Sequence, residues 1–327
     1  MIISRTPLRI SFVGGGSDIP AFYKKSSGAV VTTAINKYIY IAVNRQFDGR
    51  VIVNYSKTEV VKKIEEIENN LVREALKLTN IKGGIHITSI SDIPGEGTGM
   101  GSSSSYIVGL LHALYAYKGK HVSAEQLAQE ACYIEMDVLK KPIGKQDQYI
   151  AAYGGFKYIE FYPEDSVNID PIICLAKTKK KLEEKLLLFY TGITRSADTI
   201  LSKQQKNIME NKNTRVSLQR MVEYAQEMRI ALRQNRLTTF GKLLHKNWIL
   251  KKNMADGVSS QKIDQWYETA RDNGAIGGKL LGAGGGGFLL FYAPKGKHST
   301  IIKALKGLKL EPIKFEQQGS RIIFVGD

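Results

Sequence analysis

The sequence is poor in the side chains that build disulfide frameworks and zinc sites. Its 327 residues contain two cysteines, Cys132 and Cys174, and five histidines. Two cysteines cannot form a disulfide framework, and neither belongs to a CxxC or Cys/His spacing of the kind that zinc requires. The histidines are scattered and form no ligand pattern. These scarcities exclude a disulfide-stapled domain and a zinc-finger fold, and we expect both cysteines to be inert core residues.

Long apolar segments are also missing. No stretch approaches the roughly 18 residues needed to cross a bilayer, and the opening MIISRTPLRIS lacks the basic-then-apolar layout of a cleavable signal. We therefore expect a cytoplasmic protein without a membrane partner. The hydrophobic share of 43% and the charged share of 24% are ordinary for a soluble enzyme and exclude a disordered chain.

Acidic residues are scarce relative to basic ones. The chain has 47 Lys and Arg against 31 Asp and Glu, which gives a formal net charge of +16. Such an excess is compatible with nucleic acid, an anionic surface or small anionic substrates, and short lysine runs such as 179–181 also suit a merely solvated face. Aromatic-basic interleaving of the RNP type is absent, so we expect no nucleic-acid partner.

The order of the segments predicts an α+β chain with two domains. Strands are predicted at 8–13, 29–34, 38–45, 51–55, 84–89, 156–161, 186–190 and 288–292, with two short ones at 313–316 and 322–325. Helices are predicted at 68–79, at 106–117, from the capping pattern of Ser123 and Gln126 to before Pro142, several times between 197 and 273, and near 299–308. The lysine-rich connection at 177–185 is the expected boundary, which divides the chain into domains 1–180 and 181–327.

Residues 7–18, PLRISFVGGGSD, run from a strand into three glycines and a polar pair. Glycines let a ligand approach the backbone closely, and Ser17 and Asp18 supply acceptors for hydroxyl groups. This segment is therefore a candidate substrate site. The alternative is a glycine-rich turn in which Asp18 caps the following segment.

Residues 94–105, PGEGTGMGSSSS, place alternating glycines before an apolar helix. The exposed N–H groups of such a loop, with the positive end of the helix behind them, form a cradle for phosphate. A serine hydroxyl at the start of the helix can ligate Mg²⁺. The loop is not a Walker A motif, because no Gly-Lys-Ser/Thr follows the spacing. The alternative is a flexible loop with a serine N-cap.

Two carboxylates, Glu135 and Asp147, lie on either side of a Pro-Gly turn. They can converge on one site from a helix and a loop, one holding a metal and the other orienting or deprotonating a hydroxyl group. The alternative for Glu135 is a solvated carboxylate on a helix surface. The spacing alone does not decide between the two.

The glycine run at 274–287 contains a GxGxxG pattern at Gly282, Gly284 and Gly287. A dinucleotide-binding fingerprint requires a strand, the glycines and then a helix. Here a helix precedes and a strand follows, so the pattern is excluded as a Rossmann fingerprint. We expect the run to pack against another loop or a substrate.

Taken in order, these segments resemble the three motifs of the GHMP kinases, the family of galactokinase, homoserine kinase, mevalonate kinase and phosphomevalonate kinase. Segment 7–18 is similar to motif one, 94–105 to motif two and 274–287 to motif three, so the resemblance covers nearly the whole chain. It implies a ribosomal-S5-like N-terminal domain, which binds ATP, a ferredoxin-like C-terminal domain, and ATP and Mg²⁺ as cofactors.

The resemblance also implies roles for individual residues. Asp147 is the implied catalytic carboxylate, and Arg9 is placed to lower the pKa of the attacking hydroxyl and to stabilise charge. Ser103 and Glu135 are the implied Mg²⁺ ligands. The implied ATP-binding set is Pro94, Gly95, Gly97, Gly99, Met100, Gly101, Ser102, Ser103 and Ser104. The expected substrate-binding set is Gly15, Gly16, Ser17, Asp18, Gly284, Gly285, Arg195, Lys251 and Lys279, whose three basic side chains are candidates for binding an acceptor phosphate.

Within the family, PLRISFVGGGSD, GAVVTTAINKYIY and GGKLLGAGGGGF are most similar to the D-glycero-D-manno-heptose 7-phosphate kinases. Galactokinases have Gly-Glu-His where this chain has residues 14–16, Gly-Gly-Gly, which argues against galactose. The resemblance implies phosphorylation of the anomeric hydroxyl of the heptose phosphate, on a route to surface polysaccharide. A fucokinase- or galactokinase-like kinase, an S5-like nucleic-acid-binding protein and a non-catalytic sensor are the alternatives. The oligomeric state stays open, with a homodimer as one option.

Overall fold

The first sheet is built around two long antiparallel strands. The computed structural model describes residues 1–94, 97–194 and 196–326. Strand β1 (Ile2–Val13) pairs along its length with β2 (Gly28–Arg45), with the short helix α1 (Pro20–Tyr23) between them. The rest of the sheet consists of β3 (Val51–Asn54), β4 (Thr58–Val61), β5 (Ile85–Ser91), β6 (Phe156–Phe161), β7 (Val167–Pro171) and β12 (Arg321–Val325).

Helices of both halves of the chain cover this sheet. Helix α2 (Asn70–Leu78) lies between β4 and β5 in sequence, and it is followed by α3 (Ser102–Tyr117), α4 (Ala124–Cys132), the π-helical turn Tyr133–Val138 and α5 (Gln146–Tyr153). Helix α3 packs on β1 and β2, while α8 (Lys212–Arg233) of the second half contacts the same two strands. Because β1 and the start of β2 are covered in this way, nearly all of their side chains are buried.

The second sheet is smaller and antiparallel, in the order β11-β8-β10-β9. Its strands are β8 (Leu186–Tyr190), β9 (Gly277–Leu280), β10 (Phe288–Tyr292) and β11 (Lys309–Leu310). The accompanying helices are α6 (Ala176–Glu183), α7 (Ala197–Glu210), α9 (Leu237–Lys252), α10 (Gln261–Asp272) and α11 (His298–Ala304). Helix α9 contacts both β1 and β9, so it connects the two sheets.

The α+β class is confirmed, and several predicted segments match closely. The predicted strands 156–161, 186–190 and 288–292 have the bounds of β6, β8 and β10. Ser123 caps α4 by accepting the N–H of Gln126, as the capping pattern indicates. Cys132 is buried as expected, whereas Cys174 is only partly buried.

Other predicted segments were wrong in extent or type. The two strands predicted at 29–34 and 38–45 are one strand, β2, which pairs with β6 along its first half and with β5 along its second. The lysine-rich segment predicted as a connection is largely helix α6, with Thr178 and Leu182 buried one turn apart beneath the exposed lysines. Residues 313–316 form only a single bridge, between Phe315 and Ile35.

The end of the chain returns to the first sheet. Strand β12 pairs antiparallel with β1, from Ile2 opposite Val325 to Arg5 opposite Arg321. The division of the chain at residue 180 stays a prediction. Among the described residues, no helix is both long and apolar enough to span a bilayer.

Candidate active site

One cavity of about 640 Å³ collects the predicted motifs. Its walls come from the turn after β1, the loop before α3, the turn between the π-helical segment and α5, the start of α7, the end of α9, and the glycine loop after β9. Both halves of the chain therefore contribute to it. A cavity at such a junction is the usual position of a small-molecule site.

The loop before α3 has the geometry of an anion cradle. Gly97, Gly99 and Gly101 all have left-handed backbones, with φ of 67°, 73° and 76°. The side chains of Thr98 and Met100 between them are buried and anchor the loop. Alternation of this kind turns successive N–H groups towards one concave face, and α3 adds its positive end from Ser102 onwards. The loop is therefore suited to hold phosphate groups.

The third glycine segment lies directly against this loop. A Cβ atom on Gly99 would be 2.3 Å from the carbonyl oxygen of Leu281, and one on Gly282 would be 2.4 Å from the Cα of Gly99. No side chain fits between backbones this close, so both positions require glycine. The expectation that the run packs against another loop is confirmed, and the contact joins the two halves beside the cavity.

Arg9 and Asp147 form a two-point ion pair in the wall of the cavity. Arg9 Nε and Nη2 donate to Asp147 Oδ1 and Oδ2, each at 2.6 Å, and Nη1 donates to the Gly99 carbonyl at 2.6 Å. The Arg9 side chain is 6% exposed and that of Asp147 is 22% exposed. Strand β1 thus supplies the cation, the first turn of α5 supplies the carboxylate, and the pair is tied to the glycine loop before α3.

Glu135 lies in the π-helical turn, and its side chain is buried at the start of α3. Its Oε1 accepts from Ser103 Oγ at 2.6 Å and from Lys141 Nζ at 3.1 Å. Its Oε2 accepts from Ser104 Oγ at 2.8 Å and from Gln148 Nε2 at 2.7 Å. The solvated-surface alternative for Glu135 is therefore wrong. A buried carboxylate with four donors is held in one orientation.

The donor set at Ser103 and Glu135 fits Mg²⁺. A hydroxyl and a carboxylate oxygen 2.6 Å apart are hard ligands, and they lie at the start of α3, directly after the glycine loop. The described residues contain no group of three or more His, Cys, Asp or Glu side chains that could hold a metal by themselves. Mg²⁺ is commonly held by one or two protein oxygens together with substrate phosphates. The two residues suffice for such a shared site.

A second group of charged side chains lines the cavity near the glycines of the first motif. Asp18 Oδ1 accepts from the Gly16 N–H at 2.8 Å, and its Oδ2 accepts from Gln146 Nε2 at 3.0 Å. Lys251 Nζ donates to Gln204 Oε1 at 2.8 Å, and Lys279 Nζ donates to the Ser11 carbonyl at 2.7 Å. All three charged side chains are buried.

Burial shifts the pKa of each of these groups towards its neutral form. It raises the pKa of Asp18, lowers that of Lys251 to about 8, and lowers that of Lys279 to about 7. Repulsion from Lys251 and Arg9 lowers the pKa of Lys279 further, while Asp18 opposes the shift. A ligand with negative charge would stabilise both ammonium groups.

Comparison with known proteins identifies the family. The family model for the GHMP kinases N terminal domain matches residues 70–155, and the model for GHMP kinases C terminal matches residues 228–308. The chain is 31% identical over 320 residues to the D-glycero-alpha-D-manno-heptose 7-phosphate kinase of Campylobacter jejuni, with 93% of each chain covered. The chain belongs to the GHMP kinase family. Membership of this family and the similarity to a heptose phosphate kinase confirm the predicted enzyme class, an ATP-dependent sugar kinase.

Solved structures agree with the GHMP kinase fold. A crystal structure described as a D-glycero-D-manno-heptose 1-phosphate kinase from Bacteroides thetaiotaomicron superimposes with a TM-score of 0.82 at 23% identity and covers 100% of both chains. A putative sugar kinase from Campylobacter jejuni superimposes with a TM-score of 0.75 at 26% identity, covering 98% of this chain and 97% of the other. Because its sequence identity is only 23%, the first of these structures supports the fold and nothing further.

Most of the predicted GHMP site residues meet in the cavity. Its lining includes Arg9, Gly15, Gly16, Asp18, Gly97, Gly99, Gly101, Ser102, Ser103, Ser104, Glu135, Asp147, Lys251, Lys279 and Gly284. Pro94, Met100, Ser17 and Gly285 do not line it. The Ser17 hydroxyl instead bonds the Gly14 carbonyl within its own turn. Gly95 and Arg195 lie outside the described residues. The roles assigned to all these residues stay predictions.

Sequence reasoning missed three side chains that the fold brings to the site. Lys141 and Gln148 hold Glu135, and Gln146 holds Asp18. The two glutamines flank Asp147 in the sequence, and this adjacency was a usable signal. Lys141 carried no such signal, because it lies in a run of two lysines that reads as a solvated surface.

Proposed function

We propose that this GHMP kinase transfers the γ-phosphate of ATP to the anomeric hydroxyl of D-glycero-D-manno-heptose 7-phosphate. The product is the 1,7-bisphosphate, an intermediate for nucleotide-activated heptose and surface polysaccharide. The observation that carries the proposal is the single cavity in which a phosphate loop, a carboxylate paired with arginine and two buried lysines face one another. Such a site suits two anionic substrates. The similarity to the heptose 7-phosphate kinase selects the sugar.

Asp147 is the proposed proton acceptor. Each carboxylate oxygen has two lone pairs, so both can still accept a hydrogen bond after binding Arg9. In the proposed step the sugar hydroxyl gives its proton to Asp147 while its oxygen forms the bond to the γ-phosphorus. The bond from that phosphorus to the β–γ bridging oxygen breaks, and ADP leaves. Arg9 holds Asp147 in place and stabilises the negative charge that develops nearby.

Ser103 and Glu135 are the proposed residues for Mg²⁺. A bound Mg²⁺ neutralises charge on the phosphate oxygens of ATP during transfer. The protein's own part is to fix the two ligands. Ser104 and Gln148 hold Glu135 through its other oxygen, and Ser103 is held by its hydrogen bond to Glu135 Oε1. The N–H groups of the glycine loop then position the phosphates next to this pair.

Lys251 and Lys279 are the proposed partners of the acceptor's phosphate. Each ammonium carries three N–H donors. Lys279 uses two of them on the carbonyls of Ser11 and Phe12, and Lys251 uses two on Gly15 and Gln204. Among the described residues, the third donor of each lysine has no partner, which leaves it available to a ligand. A pocket with such charges discriminates against sugars without a phosphate, because their binding leaves the charges unpaired.

The test is a phosphorylation screen with Mg-ATP on heptose 7-phosphate, heptose 1-phosphate, free heptose, fucose and galactose, with the product position read by NMR. We expect heptose 7-phosphate to have by far the highest kcat/KM and to be phosphorylated at the anomeric oxygen. Rising salt should raise its KM more than it lowers kcat, since screening acts on the attraction first. Comparable kcat/KM for fucose or galactose would reject the proposed acceptor and leave the kinase class intact.

A further inference from the structure

Lys141 is the only cationic side chain within ion-pairing distance of Glu135 among the described residues. Its ammonium lies 3.0 Å from Ser103 Oγ and 3.1 Å from Glu135 Oε1, and these two oxygens are 2.6 Å from each other. The three atoms form a compact triangle. Two of its corners are the proposed ligands of the divalent cation, so an ammonium at the third corner compensates the charge of the buried carboxylate.

The local backbone directs Lys141 towards Glu135. The π-helical turn ends at Val138, and Lys140 follows with a left-handed φ of 53°, which reverses the chain. The N–H of Lys141 then donates to the carbonyl of Glu135 at 2.9 Å. Pro142 comes next and restricts Lys141 to an extended conformation. Both the backbone and the side chain of Lys141 are therefore tied to the same residue.

Lys141 also has room to move. Its side chain is 19% exposed and lines the cavity, whereas Glu135 is buried at the cavity wall. The lysine side chain has a flexible stem of four carbons, so its ammonium can leave Glu135 and stay within the cavity. The glycine loop ends where α3 begins, and Ser103 lies in the first turn of that helix. Phosphates held by this loop would therefore lie within reach of a displaced ammonium.

We propose that Lys141 competes with the divalent cation for Ser103 and Glu135 and moves to the nucleotide phosphates when the cation binds. The inference rests on the proposed cation site. Glu135 Oε1 already accepts from Ser103 Oγ and from Lys141 Nζ, and these two hydrogen bonds occupy both of its lone pairs. A divalent ion that binds this oxygen repels the ammonium beside it and takes its place. The displaced ammonium loses its partners unless phosphates replace them. Lys141 thereby makes the binding of the cation and of the nucleotide mutually dependent.

The test compares Lys141→Met with wild type in two binding measurements, neither of which needs a sugar acceptor. Mn²⁺ binding to the nucleotide-free protein is followed by EPR, with Mn²⁺ as a probe that accepts the same oxygen ligands as Mg²⁺. Binding of the ATP analogue AMPPNP is followed by calorimetry with Mg²⁺ held at a concentration that already saturates the protein's own cation site, so that the measurement reports the contact between Lys141 and the phosphates alone. We expect Mn²⁺ to bind about tenfold tighter to the variant, since no ammonium has to leave, and Mg-AMPPNP to bind several-fold weaker.

The opposite signs of the two changes decide the question. A purely structural defect weakens both ligands, and that result, or two unchanged affinities, would overturn the inference. Lys140→Met is the matched control, because it removes an adjacent, exposed lysine with the same charge, and it should change neither affinity. If the Lys141→Met protein does not fold, Lys141→Gln keeps a hydrogen-bonding group at the position and is judged by the same two measurements. Failure of heptose 7-phosphate as a substrate would leave these binding results unaffected.

Discussion

Replacing Asp147 by Asn tests the proposed catalytic centre most directly. Arg9 donates two hydrogen bonds of 2.6 Å to the carboxylate. An asparagine oxygen can keep one of them, but its NH₂ group then faces the second donor of Arg9. The variant therefore loses one charge-assisted hydrogen bond and the neutralisation of a guanidinium whose side chain is 6% exposed.

Breaking a fully buried ion pair typically lowers the free energy of unfolding by about 3–5 kcal/mol, and one hydrogen bond to a charged group contributes about 1.5–3 kcal/mol. Because the Asp147 side chain is 22% exposed, we expect the loss of unfolding free energy to lie in the range of a single charged hydrogen bond, at about 2 kcal/mol. The effect on kcat should be much larger. Removing a positioned proton acceptor typically lowers the rate by about 10²–10⁴-fold.

The assay measures kcat with heptose 7-phosphate, the affinity for Mg-AMPPNP and the melting temperature of the same protein. We expect a large loss of kcat, unchanged nucleotide affinity and a melting temperature lower by a few degrees. Asp170→Asn is the matched control, since it removes a carboxylate paired with Arg229 away from the cavity. That variant should keep its kcat.

A double-mutant cycle with Arg9→Met separates chemistry from positioning. If Asp147 accepts the proton, Asp147→Asn lowers kcat further in the Arg9→Met background. If Asp147 serves only to hold Arg9, the second substitution has no additional effect. That outcome, or near-normal kcat in folded Asp147→Asn, would refute the proposed role.

Three further predictions concern the cation and the acceptor. Ser103→Ala and Glu135→Gln should each raise the Mg²⁺ concentration needed for half-maximal turnover, because each removes a hard oxygen ligand or its charge; identical Mg²⁺ titrations would remove both from the cation site. Gly15→Ala should fold normally, because Gly15 has no left-handed φ and an added Cβ comes no closer than 3.5 Å to any neighbour. If Gly15 contacts the acceptor as predicted, the added methyl group takes up space in the cavity there, so the KM for the acceptor should rise while the KM for ATP stays constant. Equal rises in both would contradict a substrate contact. Burial lowers the pKa of Lys279 to about 7, so its charge is lost as the pH rises through that value. We therefore expect kcat/KM for the acceptor to fall above about pH 7 in wild type and, in Lys279→Met, to fall only above about pH 8, where Lys251 loses its charge. The free energy of unfolding should change in the opposite direction. The penalty for burying the charged form of Lys279 is fully present below about pH 7, and it is relieved as the pH rises towards the higher pKa that Lys279 has in the unfolded chain. Urea unfolding at several pH values measures this increase.

The local patterns of the sequence determined the elements that depend on neighbouring residues. The strands at 156–161, 186–190 and 288–292 are short apolar or alternating runs with clear breaks, and their bounds match the structure. The glycine loop before α3 is equally local, because glycine adopts a left-handed backbone at little cost and all three alternating glycines of the loop do so. The resemblance of the three glycine segments to GHMP kinase motifs is likewise contained in the sequence, and it identified the family.

Tertiary structure alone decided which side chains meet. The spacing of the sequence left Glu135 open between a metal-binding carboxylate and a solvated helix carboxylate. In the structure it is buried, because Ser103, Ser104, Lys141 and Gln148 surround it from three separate segments. Strand β12 looks like a C-terminal element of the second half, but it completes the first sheet by pairing with β1. Lys279 becomes a cavity residue only because β9 and β1 approach each other. Contacts between residues far apart in sequence depend on how whole elements pack, and no local periodicity encodes that packing.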